Sequence, residues 1–423
     1  MNRNQTAAPH AVRVTGPWNI EVAGRAFAVA PSEIVTVARE PHSGLPLFDP
    51  SLPGWRRGQC LLHCQSQETS VKHAVVPGSL KVYSSADAEA PLKEGPDYRF
   101  DSEWAVVGRT PGGAIGEQQP VWLSYQYGLS RLDAVVETAA GEIAVRPGTG
   151  HVCVPLPPAA GPGERALAHL WISSRLAGLT GDNVFPILET RCPEPPALTP
   201  DEARRRLPKT WKILEAGGPL RILAWGDSVT DAAYLKEREG YPDTRWQEQF
   251  ATRLRRRFPK AKIELTTSGW GGRSTKSFVE APPDSPYHYE TAILGAKPDL
   301  VVSEFVNDAY LGDPAALEKA YGKFLEDFRR IGAEWIIHTP HYVRPDWMGL
   351  QREKEIDDDP RPYVAALHGF CARHEVPLSD ASRRWGRLWR QGIPYTTLLL
   401  NAINHPDERG MAIFADSLMR YFP

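Results

Sequence analysis

The fold of the second half of the chain is decided by a short apolar run that ends in a glycine and a hydroxyl, Arg221-Ile222-Leu223-Ala224-Trp225-Gly226-Asp227-Ser228-Val229-Thr230. The apolar run at 222–225 predicts a buried strand that breaks at Gly226. A serine on a tight strand-to-helix turn projects its oxygen beyond the carboxyl edge of a sheet, where the following backbone N–H groups also point. Ser228 is therefore a candidate nucleophile, with a helix cap as the alternative role for a serine placed here.

From residue 220 onward, apolar runs alternate with amphipathic helical patterns. The predicted strands are residues 222–225, 263–267, 300–306, 335–338 and 376–378. Parallel strands need crossover connections, and helical crossovers cover both faces of the sheet. This half therefore predicts a parallel, three-layer α/β sheet. Ligands of such sheets bind beyond the carboxyl ends of the strands, which is where Ser228 is expected.

Residues 1–195 have a different pattern, with short runs rich in Val, Tyr and Trp separated by Gly, Pro and Asp. They predict an all-β accessory domain of the sandwich or jelly-roll type. Within it we expect residues 121–127 and 131–136 to pair as adjacent antiparallel strands, and residues 139–141 to turn the chain into the next strand. A proline-rich break at 192–196 sets the boundary, so residues 196–217 are predicted as linker and helix, and residues 218–423 as the α/β domain.

Composition excludes several classes of protein. The chain has 423 residues and a net charge of −2, so it lacks the basic footprint of a protein that binds nucleic acid or an anionic membrane. No apolar run is long enough to span a bilayer. No signal peptide is visible and the cysteine count is odd, which favours a cytoplasmic location, with secretion or a periplasmic location open if the chain has been processed.

A metal or cofactor is not expected. Cys60, His63 and Cys64 have the spacing of one ligand pair of a structural zinc site. The second ligand pair that such a site needs is missing from the sequence.

Three more segments at the ends of predicted elements carry groups that suit acyl transfer. A glycine-rich turn at 268–274 follows the second strand, Asn307 ends the third strand, and His405 precedes the last helix. A histidine can take the proton of a serine, while a glycine N–H and an asparagine amide can stabilise the oxyanion of a tetrahedral intermediate.

With these segments in view, the sequence resembles the SGNH (GDSL-type) hydrolase superfamily over about residues 218–423. Four blocks of the family match in order: Gly226-Asp227-Ser228, Gly269-Trp270-Gly271-Gly272-Arg273-Ser274, Phe305-Val306-Asn307-Asp308 and His405-Pro406. The resemblance implies a flavodoxin-like fold and a serine ester hydrolase without a cofactor. It implies Ser228 as the nucleophile, His405 as the base, and an oxyanion hole made by the Ser228 N–H, the Gly272 N–H and the Asn307 side chain.

Two positions depart from the family pattern. Phe305 replaces the usual glycine of the third block, and Ala402 occupies the position of the triad aspartate, three residues before the histidine. Orientation of the imidazole then falls to Asn401, to a backbone carbonyl, or to a carboxylate from elsewhere such as Asp380. A carboxylate also stabilises the imidazolium, so we predict a Ser-His dyad that works more slowly than a triad.

The sequence thus predicts an esterase that removes a small acyl group, with acetyl expected, from a small-molecule or carbohydrate ester through an acyl-enzyme. The added β domain and the aromatic residues Trp225, Trp270 and Trp347 favour a sugar, because aromatic faces suit sugar rings. Two alternatives stay open: a lipid or thioester hydrolase of the same superfamily, and a carbohydrate-binding protein with weakened catalysis, which Ala402 favours.

Overall fold

A computed structural model describes residues 11–190, 192 and 198–423 of the chain. Two compact units account for them. The first contains the described residues of Met1–Arg191 together with Trp389–Asn404, and the second contains those of Cys192–Leu388 together with His405–Pro423. The predicted boundary near residue 195 falls outside the described residues. The segment Trp389–Asn404, which the predicted α/β domain includes, has its contacts in the first unit.

In the part of the chain that the structure describes, the first unit consists of short strands and brief 3-10 turns. The strands are β1 (Arg13–Gly16), β2 (Asn19–Val22), β3 (Arg25–Ala28), β4 (Ile34–His42), β5 (Gln59–Cys60), β6 (Gln65–Ser66), β7 (Thr69–Ser70), β8 (Lys81–Tyr83), β9 (Tyr98–Asp101), β10 (Val106–Arg109), β11 (Val121–Gly128), β12 (Arg131–Glu137), β13 (Ile143–Arg146), β14 (Arg165–Ile172) and β15 (Val184–Pro186). They form antiparallel sheets of order β1-β2-β3, β5-β10-β9, β4-β11-β8, β13-β12-β14-β15 and β6-β7. The predicted all-β class is confirmed.

The predicted pairing of residues 121–127 with 131–136 is wrong. Both segments are strands, but β11 pairs with β4 and β8, whereas β12 pairs with β13 and β14. Two of these partners are distant in sequence: Tyr125 of β11 lies opposite Val37 of β4, and Val135 of β12 lies opposite Ala168 of β14. The predicted turn is confirmed, because β12 and β13 pair across residues 139–141 and Gly141 has a φ of 77°, which glycine adopts without steric cost.

The second unit is built on one parallel sheet. Its strands are β16 (Pro219–Gly226), β17 (Lys262–Gly269), β18 (Leu300–Glu304), β19 (Glu334–His338) and β20 (Leu378–Ser379). They are arranged in the order β17-β16-β18-β19-β20, and every pair is parallel. This order is flavodoxin-like, as the family resemblance implied, and each predicted strand overlaps an observed one.

Helices connect and cover these strands. They are α1 (Pro200–Arg206), α2 (Pro208–Ala216), α3 (Ser228–Asp231), α4 (Trp246–Arg257), α5 (Thr275–Glu280), α6 (Pro314–Arg330), α7 (Pro362–His374), α8 (Ala381–Gly386) and α9 (Glu408–Met419). On one face, Trp225 of β16 packs edge-on against Phe324 of α6, with ring centroids 5.1 Å apart. On the other, Trp246 of α4 contacts His338 of β19 at 5.0 Å and Phe414 of α9 at 6.5 Å. The sheet is thus the middle of three layers.

Two further observations concern the described residues as a whole. None of their helices combines the length and the apolar character that crossing a bilayer requires. All five cysteines lie in the described part of the chain, and none of them forms a disulfide.

Candidate active site

The turn after β16 presents Ser228 at the first residue of α3. Gly226 is required there, because a Cβ atom at this position would lie 2.1 Å from Thr230 Oγ1 and 2.4 Å from the Glu304 carbonyl oxygen. The cap of α3 is Asp227, whose Oδ1 accepts the Val229 N–H at 3.1 Å. Because Asp227 supplies the capping bond, the half-buried Ser228 does not serve as the helix cap, which was its alternative role.

The glycine-rich turn lies beside the nucleophile. Strand β17 aligns Gly269 with Gly226 of β16, and the Trp270 N–H donates to the Gly226 carbonyl at 3.0 Å. A Cβ atom placed on Gly271 would lie 3.9 Å from Ser228 Cβ. The next residue, Gly272, has a φ of 69°, in the left-handed region that favours glycine.

The segment after β18 is joined to the same turn. Asn307 donates both its backbone N–H, at 3.1 Å, and its side-chain Nδ2, at 3.0 Å, to Asp227 Oδ2. An amide nitrogen carries two hydrogens, so the second one is not used by this bond. The neighbouring Asp308 accepts the Thr275 N–H at 2.9 Å and the Thr275 hydroxyl at 2.8 Å, which ties α5 to the same segment.

Three buried carboxyl groups lie at the carboxyl ends of β16 and β18: Asp227, Glu304 and Asp308. Asp227 accepts three N–H donors, which is the environment of a carboxylate, although burial and then the charge of Asp308 raise its pKa. Burial raises the pKa of Asp308 to about 6. Glu304 is fully buried, and neither of its carboxyl oxygens has a hydrogen-bond partner among the described residues.

Glu304 is therefore the neutral member of the cluster. Burial, followed by repulsion from Asp227, raises its pKa well above the ordinary value. A neutral carboxyl without hydrogen-bond donors is less costly to bury than a charged one, whereas Asp227 has its donors in place.

His405 lies just before α9 and is 7 % exposed. Its imidazole stacks face to face on the ring of Tyr234, with centroids 4.2 Å apart and planes inclined by 7°. The Tyr234 hydroxyl donates to the Pro406 carbonyl at 3.0 Å. Tyr234 belongs to the 3-10 turn Ala233–Leu235, shortly after Ser228, so these contacts tie the histidine loop to the nucleophile segment. No pattern in the sequence predicted a role for Tyr234.

Two predicted substitutes for the triad aspartate have other contacts. Asp380 binds the Thr339 hydroxyl, the Ser382 hydroxyl, the Arg383 N–H and His368 Nε2. Asn401 Oδ1 accepts the N–H groups of Ile403 and Asn404, so this side chain stabilises its own turn. Ala402 within that turn has a φ of 55°.

The three tryptophans predicted to contact a sugar differ in how far they are exposed. Trp225 is fully buried, so the expectation that it contacts a substrate is wrong. It packs against Phe305 at 5.0 Å, which explains why a large residue is accommodated where the family has glycine. Trp270 is half-buried and stacks on Tyr287 at 4.5 Å, next to Gly271. Trp347 is 51 % exposed.

Comparison with protein-family models identifies this part of the chain. Residues 224–413 match the model of the GDSL-like Lipase/Acylhydrolase family, a range that contains Ser228, Gly272, Asn307 and His405. These residues form a GDSL-like lipase/acylhydrolase domain. No curated protein matches the chain closely enough to be counted as a relative.

Several solved structures show a distant similarity to the chain that carries the GDSL-like domain. A two-domain esterase (CEX) active on acetylated mannans is 16 % identical, with 52 % of each chain covered and a TM-score of 0.39. A putative GDSL-like lipase from Parabacteroides merdae is 14 % identical, with 48 % of this chain and 94 % of that chain covered and a TM-score of 0.38. Axe2, an acetylxylan esterase from Geobacillus stearothermophilus, is 17 % identical, with 47 % and 92 % covered and a TM-score of 0.37. The match thus spans about half of the two-domain esterase, and these similarities are too low to assign a substrate.

Within the described residues, no group of three or more His, Cys, Asp or Glu side chains is arranged to hold a metal ion.

Proposed function

We propose that the GDSL-like domain is a serine esterase that removes a small acyl group, acetyl first, from a carbohydrate or other small ester. The observation that carries this proposal is the hydrogen-bonding of Asp227, which precedes the nucleophile, to Asn307 of the third block at 3.0 and 3.1 Å. The short approach of Gly271 to Ser228 supports it further. These contacts gather three of the four family blocks at the carboxyl ends of β16, β17 and β18.

The proposed reaction has two half-reactions. Ser228 Oγ attacks the ester carbonyl while His405 takes its proton, and the imidazolium then protonates the departing alcohol as the carbon–oxygen bond breaks. Water attacks the acyl-serine, again with His405 as base, and the carboxylate leaves with Ser228 restored. The Ser228 N–H, the Gly272 N–H and the second hydrogen of Asn307 Nδ2 are the proposed donors to the oxyanion of each tetrahedral intermediate.

A carbohydrate substrate is favoured by the aromatic surface next to the glycine turn. Trp270 stacks on Tyr287 at 4.5 Å with planes inclined by 8°, which makes an aromatic wall beside Gly271. Such a wall offers apolar contact to the C–H face of a sugar, and polar groups nearby fix its orientation. The Ala402 position is the feature that favours the alternative of a weakened, sugar-binding relative.

The test is hydrolysis of p-nitrophenyl acetate and of its octanoate by the full-length protein and by Ser228→Ala. Loss of the nucleophile should lower kcat for the acetate by about 10⁴-fold or more, because removing a member of such a unit disables it as a whole. The exposed Ser84, replaced by Ala, is the matched control. A fluorophosphonate probe should label the wild type and not Ser228→Ala.

Two results would count against the proposal. Equal acetate turnover by the wild type and Ser228→Ala would exclude Ser228 as the nucleophile. A higher kcat/KM for the octanoate than for the acetate would favour the lipid or thioester alternative. Acetylated xylose or mannose oligomers, assayed by acetate release, then test the carbohydrate part of the proposal separately.

A further inference from the structure

We propose that Tyr234 is a positioning residue for the base of this reaction, an inference that rests on the proposed function. Its ring fixes the plane of the His405 imidazole and favours the protonated form, and its hydroxyl holds the main chain that follows. The inference comes from the parallel stacking of the two rings at 4.2 Å and 7°, together with the hydrogen bond from Tyr234 to the Pro406 carbonyl at 3.0 Å.

A histidine that acts as a general base must keep both the direction of its hydrogen bond and the inclination of its ring. A hydrogen bond to one imidazole nitrogen fixes a direction within the ring, whereas the inclination of the ring about that direction is fixed by what lies against its faces. A small misplacement of a reacting group is costly, since rate depends steeply on orientation. A parallel phenol ring restricts the inclination of His405 directly. This contribution adds to whichever hydrogen bond orients the ring.

Stacking also has an electrostatic consequence. The face of an aromatic ring is negative, so it attracts a cation placed over it. His405 becomes such a cation when it takes the Ser228 proton. In a triad, stabilisation of the imidazolium comes from the aspartate. Here the family position of that aspartate is Ala402, and Tyr234 supplies part of the same effect from the ring face.

Tyr234 is itself held firmly. It lies in the turn Ala233–Leu235, in which the neighbouring Leu235 is fully buried and donates its N–H to the Ala232 carbonyl at 3.0 Å. The acidic groups near Tyr234 are Glu304, Asp227 and, at the start of α9, Asp407. Burial, with these groups, raises the pKa of the Tyr234 phenol well above its ordinary value. The hydroxyl therefore remains a donor to Pro406 through the pH range of an assay.

Nuclear magnetic resonance on the full-length protein tests the contact without any need for turnover. With ring-labelled histidine and tyrosine, the His405 signals are assigned among the 12 histidines by their loss in His405→Gln. The wild type should show a nuclear Overhauser effect between the rings of Tyr234 and His405. Absence of that effect in the folded wild type would overturn the inference, whatever the variants do.

Two variants separate the effect of the Tyr234 ring from the effect of its hydroxyl. Tyr234→Leu removes the stack, and the pKa of His405 should fall by about 0.5 to 1 unit because the imidazolium loses its aromatic neighbour. Turnover of p-nitrophenyl acetate should fall about 5- to 30-fold in kcat with KM within about twofold. Tyr234→Phe keeps the stack, so it should leave the His405 pKa within about 0.2 unit and retain about a third or more of kcat.

Different results would contradict the positioning role of Tyr234 and the proposed esterase reaction. An unchanged His405 pKa in Tyr234→Leu would overturn the positioning role, as would equal loss of kcat in Leu and Phe variants. If the Leu variant does not fold, Tyr234→Met replaces it in the same titration. If the ring contact and the pKa shift are present but the wild type neither hydrolyses esters nor reacts with the fluorophosphonate, the esterase proposal fails and the pairing of the two rings stands.

Discussion

Glu304→Gln should change how the stability of the protein depends on pH. In the folded chain Glu304 is fully buried, its carboxyl oxygens have no hydrogen-bond partner among the described residues, and burial with the nearby Asp227 raises its pKa well above 4.5. The folded protein therefore retains a proton that the unfolded chain releases as pH rises. Because the native state then binds more protons, stability falls with increasing pH above 4.5 and is unaffected by this group below it.

The expected size follows from the linkage. A pKa difference costs about 1.4 kcal/mol for each pH unit between the unfolded and folded pKa values. Glutamine is neutral at every pH and does not carry this cost. The free energy of unfolding of Glu304→Gln, minus that of the wild type, should therefore grow as the pH rises above 4.5, by about 1.4 kcal/mol for each pH unit until the folded pKa is reached. A constant offset from the altered hydrogen-bonding of the amide does not affect this growth.

Urea unfolding at pH 5, 6 and 7, followed by the fluorescence of the 13 tryptophans, measures this difference. Glu326→Gln is the matched control, since Glu326 is exposed on α6 and its replacement should give the same difference at each pH. If the wild type and Glu304→Gln show parallel dependence on pH, Glu304 is ionised in the folded protein. The assignment of the neutral carboxyl to Glu304 would then be refuted.

Two further substitutions test residues at the carboxyl ends of the parallel strands. Asn307→Ala should lower kcat for p-nitrophenyl acetate about 10²- to 10³-fold with little change in KM, because it removes an oxyanion donor; a loss below about threefold would exclude that role. Gly226→Ala should destabilise the protein by about 2 kcal/mol or more in urea unfolding, because its Cβ would lie 2.4 Å from the Glu304 carbonyl oxygen. Gly322→Ala on α6, where a Cβ atom meets nothing within 4 Å, should instead stabilise by about 0.5 to 1 kcal/mol, and destabilisation of both variants alike would contradict the steric argument.

The features that the sequence predicted well are those encoded locally. The apolar run at 222–225, the glycine that ends it and the hydroxyl that follows are neighbours in the chain, and they form β16, its turn and the start of α3. The parallel sheet follows from the alternation of such runs with helices, since parallel strands leave few other arrangements. Family blocks located Asn307 in the same way, at a strand end.

Features that depend on distant partners were not predictable. Strands β11 and β12 follow one another in sequence, yet β11 pairs with β4 and β12 pairs with β14, and pairing across such distances has no local signature. Tyr234 is one tyrosine among 14, and nothing in its neighbours indicates that a histidine 171 residues later stacks on it. Trp225 was predicted both as part of a buried strand and as a sugar contact, and burial in the sheet excludes the second role.

The membership of Trp389–Asn404 in the first unit has a consequence for rearranging this protein. The carbonyls of this segment accept hydrogen bonds from the first unit, including Asn401 from the Thr69 hydroxyl at 2.6 Å and Arg390 from the Leu188 N–H at 2.7 Å. The chain returns to the second unit directly at His405. A gene fragment that begins after residue 191 would therefore encode the loop before His405 without the strands that shape it. Transfer of the GDSL-like domain to another protein therefore requires the first unit as well, because residues 389–404 lie within the matched range but belong to that unit.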